Sequence, residues 1–368
     1  MILREIHLNR YRNYDRLSLR TDHQVNLFVG ANAQGKTNLL EAIYVLALMR
    51  SHRTHKDKEL IAWQAEQAII EGGVERDLGR LLLQVKLSQH GKKASINGLE
   101  QRKLSQYIGS LNAVMFAPED LEIVKGAPGI RRRFLDVEMG QVYPTHLYHL
   151  TQYQKVLAQR NNMLKNWTPS GQVMMDIWDE QLAEYGSKII RKRQQFITQL
   201  QSWAEEIHAG ITKGEEQLRI VYKPSFECEP GADEPVLINQ FMVKLSQVRE
   251  QEIRRGTTLV GPHRDDLEFL INDRDAQTYG SQGQQRTVGL SVKLAEIELI
   301  RHEIGEYPLL LLDDVLSELD QTRQNQLIAI FQSKVQTFIT TTGTESLKLQ
   351  LLDDAVIYNV EGGQVHIR

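Results

Sequence analysis

Cysteine is almost absent from this chain, because Cys228 is the only one among its 368 residues. A single thiol excludes an internal disulfide and a cysteine-based zinc site, and it fits a reducing cytosol. Long hydrophobic runs are missing too, and the apolar run at residues 309–312 is far shorter than a membrane span. Residues 1–6 alternate apolar and charged side chains instead of forming a signal-peptide core. We therefore expect a cytoplasmic protein with no membrane partner.

A strong charge of one sign is also lacking. The net charge is −3, so no global positive field attracts nucleic acid, and any such binding must come from local patches. With 41% hydrophobic and 25% charged residues, the composition is that of an ordinary soluble globular protein. A length of 368 residues exceeds the size at which a single core keeps growing, so we expect two lobes.

The hydrophobic periodicity changes twice along the chain. Residues 1–115 are rich in strand-like runs and contain a hairpin signal at Asn97-Gly98, and residues 256–368 alternate strands with helices, including one at 321–332. Residues 116–255 have mainly helical periodicity, and apolar residues over 178–207 favour one straight helix over a supercoiled rod. We predict an α/β fold in which 1–115 and 256–368 form one lobe and 116–255 forms a mainly helical insertion lobe.

A glycine-bounded loop follows a short apolar strand, residues 25–29, and precedes a helix. Its spacing is that of the phosphate-binding loop G-x-x-x-x-G-K-[ST]. The glycines let backbone N–H groups converge on phosphate oxygens, the lysine reaches the β- and γ-phosphates, and the threonine hydroxyl binds Mg²⁺. A turn that merely links strand to helix is the alternative. The predicted nucleotide-binding residues are Gly30, Ala31, Asn32, Ala33, Gln34, Gly35, Lys36 and Thr37.

Two acidic residues, Asp313 and Asp314, follow the apolar run at 309–312. A buried parallel strand delivers its last side chains to the sheet edge where a phosphate loop also lies. Asp313 is predicted to hold Mg²⁺ beside Thr37, and Asp314 is the predicted catalytic residue that orients or deprotonates the attacking water, together with Lys36. Either acid alone is explained by a strand that ends in solvated side chains.

A second candidate anion site lies at the start of a predicted helix over residues 283–305. Ser281, Gln282 and Gly283 offer a hydroxyl and exposed N–H groups to a phosphate. An ordinary helix N-cap at Ser281 is the simpler alternative.

The order of these motifs resembles that in the head domains of ABC-type ATPases, and most closely the SMC-like DNA-repair branch. Three further segments fit that branch: residues 8–14, residues 116–121 with 131–136, and residues 261–266. The resemblance covers essentially the whole chain. It implies an ABC-type P-loop ATPase head, with a mixed sheet and an added antiparallel β-subdomain, and a helical second lobe in place of coiled-coil arms.

The resemblance also implies residue roles. ATP with Mg²⁺ is sandwiched in a head-to-head homodimer, so that Ser281, Gln282 and Gly283 act in trans on ATP held by the other subunit. Arg12 and Asn13 match positions that reach toward the nucleotide. The segment that crosses the dimer axis is matched by Ser317, Glu318 and Asp320.

The implied function is ATP-dependent DNA binding in recombinational repair, replication and replication-fork restart. The dimer clamps gapped or junction DNA and helps load recombinase onto single strands, with RecO and RecR as implied partners. Many ABC heads have Glu where this chain has Asp314, and a His after the next strand where this chain has only threonines. Both departures predict a weak, DNA-dependent ATPase in which ATP acts mainly as a dimerisation switch.

Two basic clusters are candidates for DNA backbone contacts, and neither is interleaved with aromatic residues that would read bases. In the second, a solvated helix face is the simpler explanation. The main alternative function is the nucleotide-binding subunit of a membrane transporter, although its usual signature is fuller; a small-molecule kinase and a nuclease fit less well. The candidate DNA-binding residues are Arg131, Arg132, Lys188, Arg191 and Lys192.

Overall fold

We describe the fold from a computed structural model, which describes residues 1–229, 231–316, 323–324, 327, 335–343 and 355–368. The strands, in chain order, are β1 Ile2–Tyr11, β2 Tyr14–Arg20, β3 Val25–Val29, β4 Gln67–Arg76, β5 Gly79–Ser88, β6 Gly91–Ile96, β7 Leu99–Gln101, β8 Ala113–Phe116, β9 Leu218–Lys223, β10 Asp266–Ile271, β11 Arg274–Asp275, β12 Leu309–Asp313, β13 Thr337–Thr341, β14 Ala355–Glu361 and β15 Gln364–Ile367.

The α-helices are α1 Lys36–Leu48, α2 Leu104–Tyr107, α3 Leu121–Lys125, α4 Pro128–Val142, α5 Pro144–Lys165, α6 Gln172–Thr212, α7 Glu234–Arg255, α8 Ala276–Tyr279 and α9 Gln282–Ile304. Of the predicted helix at 321–332, only residues 323, 324 and 327 are among the described residues, and these three are helical. Within the described part of the chain, no helix has both the length and the hydropathy needed to cross a bilayer.

The chain divides into two compact units. The first contains Met1–Asp120 and Leu290–Arg368, and the second contains Leu121–Gly289. The sequence placed the second boundary at 255/256, but the structure places it at 289/290. The reason is strand pairing, because β10 pairs with β9 over six residues, so that residues 266–271 belong to the same unit as 218–223.

The first unit contains two six-stranded sheets. One is antiparallel in the order β2-β1-β4-β5-β6-β7, and the other is mixed in the order β15-β14-β3-β13-β12-β8, with only β14 and β15 antiparallel. Helix α1 packs against strands of both sheets, and residues on nearly every face of this helix are buried. The prediction of a mixed sheet with an added antiparallel subdomain is therefore confirmed.

Turn chemistry sets the β6–β7 hairpin in the antiparallel sheet. Asn97 and Gly98 both have positive φ, 50° and 80°, and they connect strands in which Ile96 pairs with Leu99. Such a two-residue turn requires residues that tolerate the left-handed region, and Asn-Gly meets that need. This hairpin signal in the sequence is confirmed.

The second unit is organised around α6, which is 41 residues long and packs against α5 and α7. The sequence predicted a helix over residues 178–207, and this range lies inside the observed α6. Tyr153, Leu182, Ile189 and Phe241 are among the buried side chains that join the three helices. Antiparallel strands β9, β10 and β11 complete the unit as a small sheet, and the sequence analysis had assigned two of these strands, β10 and β11, to the other lobe.

Candidate functional site

The loop between β3 and α1 has the backbone that a phosphate site requires. Gly35 has a φ of +117°, a backbone angle that residues with a side chain rarely adopt. A Cβ at this position would lie 2.6 Å from the Asn13 side-chain nitrogen. A Cβ on Gly30 would lie 2.3 Å from the carbonyl oxygen of Val360. Both glycines are thus needed for the loop to curl against its neighbours.

Lys36 is folded back onto this loop. Its Nζ donates to the carbonyl oxygens of Gly30 at 2.6 Å and Ala31 at 2.8 Å. Burial lowers the pKa of the Lys36 ammonium, while the nearby Asp314 and Asp313 carboxylates oppose that shift. Phosphate oxygens are stronger hydrogen-bond acceptors for an ammonium than carbonyl oxygens are. Lys36 can therefore give up its bonds to the carbonyl oxygens in favour of bonds to a phosphate.

Thr37 and Asp313 meet as predicted. The Thr37 hydroxyl donates to Asp313 Oδ1 at 2.9 Å, and the Thr340 hydroxyl donates to the same oxygen at 2.7 Å. Asp313 ends β12 and is buried. A threonine hydroxyl beside a carboxylate is the oxygen donor set that Mg²⁺ takes together with phosphate oxygens and water, so these residues fit the metal.

Asp314, the next residue, has φ +53°, a left-handed conformation that is uncommon outside glycine. Its N–H donates to Thr340 Oγ1 at 3.0 Å, which anchors the turn after β12 to the neighbouring strand β13. Backbone strain of this kind clusters at functional sites. The geometry is consistent with the catalytic role that we predict for Asp314.

Asn13 and Arg12 make hydrogen bonds near the phosphate loop, but with different partners. Asn13 Nδ2 donates to the carbonyl oxygen of Gln34 at 3.0 Å. Arg12 instead makes two hydrogen bonds of 2.8 Å to the Glu41 carboxylate, and a third of 2.8 Å to the Glu59 carbonyl oxygen. Nucleotide contact by either residue remains a prediction.

Glu41 was not predicted from the sequence. It is fully buried in α1 and also accepts from the Ser51 hydroxyl at 2.6 Å and the Tyr11 hydroxyl at 3.2 Å. Burial alone raises the pKa of the Glu41 carboxyl, but hydrogen bonds from Arg12 and Ser51 outweigh it and lower that pKa below its ordinary value. The sequence does contain one signal for this residue, because Glu41 is the one acidic residue in an otherwise mostly apolar helix.

The β14–β15 turn also supports the loop, and sequence reasoning missed it. Gly362 N–H donates to the Gln34 side-chain oxygen at 2.7 Å, and Gly363 N–H donates to the Gln34 carbonyl oxygen at 3.1 Å. A Cβ on Gly363 would lie 2.4 Å from the carbonyl oxygen of Asn13. The chain's C-terminal hairpin therefore fixes the middle of the phosphate loop.

The residues that we predict to act in trans, Ser281, Gln282 and Gly283, are called the signature residues, and they belong to the second unit. Ser281 and Gln282 are exposed, and α9 begins at Gln282. Gln284 N–H donates to Ser281 Oγ at 3.2 Å, and the Ser281 N–H donates to Gln284 Oε1 at 2.9 Å, so the helix start is a reciprocal capping box. The predicted dimer-axis residues Ser317, Glu318 and Asp320 lie outside the described residues.

The first basic cluster contains one buried arginine and one that is partly buried. Arg131 is 3% exposed and makes two hydrogen bonds to the Asp266 carboxylate, at 2.7 and 2.9 Å, and one to the Gly126 carbonyl oxygen. Arg132 donates to the Asp265 carbonyl oxygen at 2.8 Å and is partly buried. For Arg131 the DNA-binding prediction is wrong, because its guanidinium is buried and paired.

The second cluster, on α6, is divided. Lys188 pairs with Glu184 at 2.7 Å, and the Lys192 ammonium lies 3.5 Å from the centroid of the Tyr143 ring. Arg191 is exposed and has no ion-pair partner among the described residues. It is the member of this cluster best placed to meet a phosphate, and that contact remains a prediction.

Residues 261–266, whose role the sequence left open, form a structural junction in the second unit. His263 Nδ1 lies 2.7 Å from the Tyr153 hydroxyl, and burial lowers the pKa of His263 to about 4. Asp265 accepts from the Ser225 N–H at 2.7 Å and from the Tyr222 hydroxyl. The segment thereby ties α5 to β9 and the loop after it.

Comparisons with known proteins show the family to which the chain belongs. The family model described as the RecF/RecN/SMC N terminal domain matches residues 2–360. Solved Smc heads, one from Pyrococcus furiosus, have TM-scores of 0.55 and 0.56 at 14% and 13% identity, and they support the fold alone. Fold and site together define an ABC-type ATPase head of the SMC class.

Closer relatives narrow the assignment. The DNA replication and repair protein RecF of Oceanobacillus iheyensis is 52% identical over 369 residues and covers 100% of both chains, and that of Bacillus mycoides is 52% identical over 368 residues, covering 99% of this chain and 98% of its own. Two structures of the recombination mediator RecF in the RecFOR pathway, with ATP and with ATPrS, both have TM-scores of 0.92, at 34% and 33% identity. They cover 100% of this chain and 97% and 98% of their own. The chain belongs to the RecF family.

Proposed function

We propose that this chain is an ATP-dependent DNA-binding protein of recombinational repair and replication-fork restart, in which ATP closes a head-to-head homodimer around gapped or junction DNA. The observation that carries the proposal is the preassembled half-site of the first unit. Lys36 already lies on the loop carbonyls, and Thr37 already contacts Asp313. In the second unit, Ser281 is exposed at the start of α9, where a second copy can use it.

The energetic reasoning concerns differential affinity. A ligand shifts an equilibrium only by binding one state more tightly than the other. If ATP touches the phosphate loop of one subunit and Ser281 of its partner, it gains the second set of contacts only in the dimer. ATP then drives dimerisation, and ADP, which lacks the γ-phosphate, does not.

Hydrolysis is the resetting step. Mg²⁺, held by Thr37 and Asp313, would neutralise charge on the phosphates, and Asp314 would orient the attacking water. An aspartate side chain is one methylene shorter than a glutamate and reaches the water less well. Strand β13 ends in Thr340 and Thr341, and Thr342 follows where many ABC heads have a histidine. The Thr341 hydroxyl donates to the carbonyl oxygen of Gly343 at 2.8 Å. We therefore infer a slow ATPase that serves as a timer.

DNA binding in this proposal is independent of sequence, because no aromatic and basic residues are interleaved to read bases. Family membership supports DNA as the partner, and it supports RecO and RecR as the proteins with which the dimer helps load recombinase. The transporter alternative is not favoured, because the relatives match over the full chain and are DNA repair proteins.

The test is sedimentation of the chain with ATP, ADP or no nucleotide, with and without DNA that has a single-strand/double-strand junction. We expect a dimer only with ATP, and no dimer for Ser281→Arg. The matched control is Ser246→Arg, since Ser246 is an exposed serine on α7. A Ser281→Arg chain that dimerises with ATP as the unaltered chain does would contradict the proposal.

A further inference from the structure

The signature serine is not held by its own helix alone. Its capping box with Gln284 uses the Gln284 side-chain oxygen, which accepts from the Ser281 N–H at 2.9 Å. The Ser281 oxygen accepts from the Gln284 N–H, and this bond uses one of its lone pairs and not the hydroxyl hydrogen, so that hydrogen can donate to an outside group. The position of the serine therefore depends on how the Gln284 side chain is oriented.

Gln284 is oriented from outside its helix. Its amide nitrogen donates to Glu216 Oε1 at 2.9 Å, and Glu216 lies in the turn between α6 and β9. The other Glu216 oxygen, Oε2, lies 3.1 Å from Nε2 of His208, which is fully buried in the last turns of α6. All four residues belong to the second unit.

We infer that the hydrogen-bonded series His208–Glu216–Gln284 positions the signature serine, Ser281, for its contact with ATP in trans. The series also links the end of α6 to ATP-dependent dimerisation. The inference rests on the proposed function. Both bonds of the Gln284 side chain have a defined direction, since an amide can donate only through its nitrogen and accept only through its oxygen. A carboxylate at 216 therefore fixes which way Gln284 faces, and a fixed Gln284 fixes Ser281.

The effect is expected at dimerisation and not at ATP binding by one chain. The phosphate loop belongs to the first unit and contains none of these residues. A two-fold dimer contains the contact between Ser281 and the partner's ATP twice. A change that weakens this contact therefore affects the dissociation constant of the dimer through both copies. Contacting residues are coupled by about 0.5–3 kcal/mol. A mid-range value of about 1.4 kcal/mol is tenfold per site, which gives roughly a hundredfold for the dimer.

Gln284→Glu is the decisive variant. A glutamate at 284 can still accept from the Ser281 N–H, but it places a second carboxylate against Glu216. We expect ATP-dependent dimerisation to weaken about a hundredfold, while ATP affinity measured at concentrations where the chain is monomeric stays unchanged. The control is Glu215→Gln, which removes a charge from the exposed neighbour in the same turn.

The reciprocal double variant, Glu216→Gln with Gln284→Glu, supplies the rescue. The glutamine at 216 now donates to the glutamate at 284 and accepts from His208, so the bond between positions 216 and 284 is restored with its direction reversed, and the bond to His208 keeps its direction. We expect dimerisation within about threefold of the unaltered chain. A role in folding alone would not produce this recovery with constant monomer ATP affinity.

The outcomes separate the two claims. If Ser281→Arg stays monomeric while Gln284→Glu dimerises normally, the positioning inference is wrong and the proposed function stands. The inference is also overturned if Gln284→Glu weakens dimerisation and the double variant does not recover. If Ser281→Arg itself dimerises with ATP, both claims fail together.

Discussion

Replacing Glu41 with methionine should destabilise the first unit more than any surface change. The substitution removes the acceptor for four hydrogen bonds: two from Arg12, one from Ser51 and one from Tyr11. The Arg12 side chain is only 20% exposed, so its charge is left largely out of water with a single carbonyl partner. Breaking a buried pair by removing one partner costs about 3–5 kcal/mol, and the partial exposure of Arg12 favours about 3.

The double variant Arg12→Met with Glu41→Met isolates the cause. With both charges gone, the remaining losses are the acceptors of Ser51 and Tyr11, so the cost should be no more than about 2 kcal/mol. Each single variant should cost about 3, so the pair should be less than additive by about 4.

The assay is urea denaturation followed by circular dichroism at neutral pH without nucleotide. Glu66→Gln is the control, because Glu66 is exposed. Its unfolding free energy should change by less than about 0.5 kcal/mol. The reasoning is refuted if the double variant loses the sum of the two single losses, since the orphaned charge would then not be the cause.

The other predictions concern the switch, pH and DNA. Lys36→Ala should abolish ATP binding and with it dimerisation, as read by calorimetry and sedimentation. Asp314→Asn should bind ATP and accumulate as a dimer, and an ATP-bound monomer in sedimentation would contradict the assignment. Because the folded-state pKa of Glu41 is depressed from 4.5, the stability difference between the unaltered chain and Glu41→Met should be full above pH 4.5 and shrink as pH falls through the lower folded-state pKa, as measured by urea titration. DNA affinity should fall steeply with salt, and Arg191→Gln should weaken it and make that slope shallower. Arg132 should matter less, because it is partly buried and donates to the Asp265 carbonyl oxygen.

The phosphate site was predictable because its information is local. Gly30, Gly35, Lys36 and Thr37 follow one another closely, and an apolar run that ends in Asp313 reads as a buried strand whatever surrounds it. Parallel strands bring their carboxyl ends to one edge, so the meeting of Thr37 with Asp313 follows from strand type alone. The 2.9 Å contact between them spans 276 residues of sequence.

What the sequence could not supply were partners that are set only by packing. Glu41 contacts Arg12 because α1 crosses both sheets, and no periodicity of α1 encodes that neighbour. Gly362 and Gly363 support the phosphate loop only because β14 pairs with β3. The boundary at 289/290 was missed because the pairing of β10 with β9 decides it, and alternating residues in β10 do not name their partner strand.

The arginines of the second unit show how this limit affects function. Arg131 pairs with Asp266, Arg160 with Asp179 and Glu252, and Arg193 with Asp136, and all three guanidiniums are buried. A run of basic letters in the sequence suggests an attractive surface, yet these charges are neutralised inside the unit by acids from distant segments. A buried ion pair projects little field into solvent, so it contributes little to counterion release. In the proposed function, we therefore expect the electrostatic part of DNA binding to come from exposed cations such as Arg191, and the salt slope to count these cations and not the buried ones.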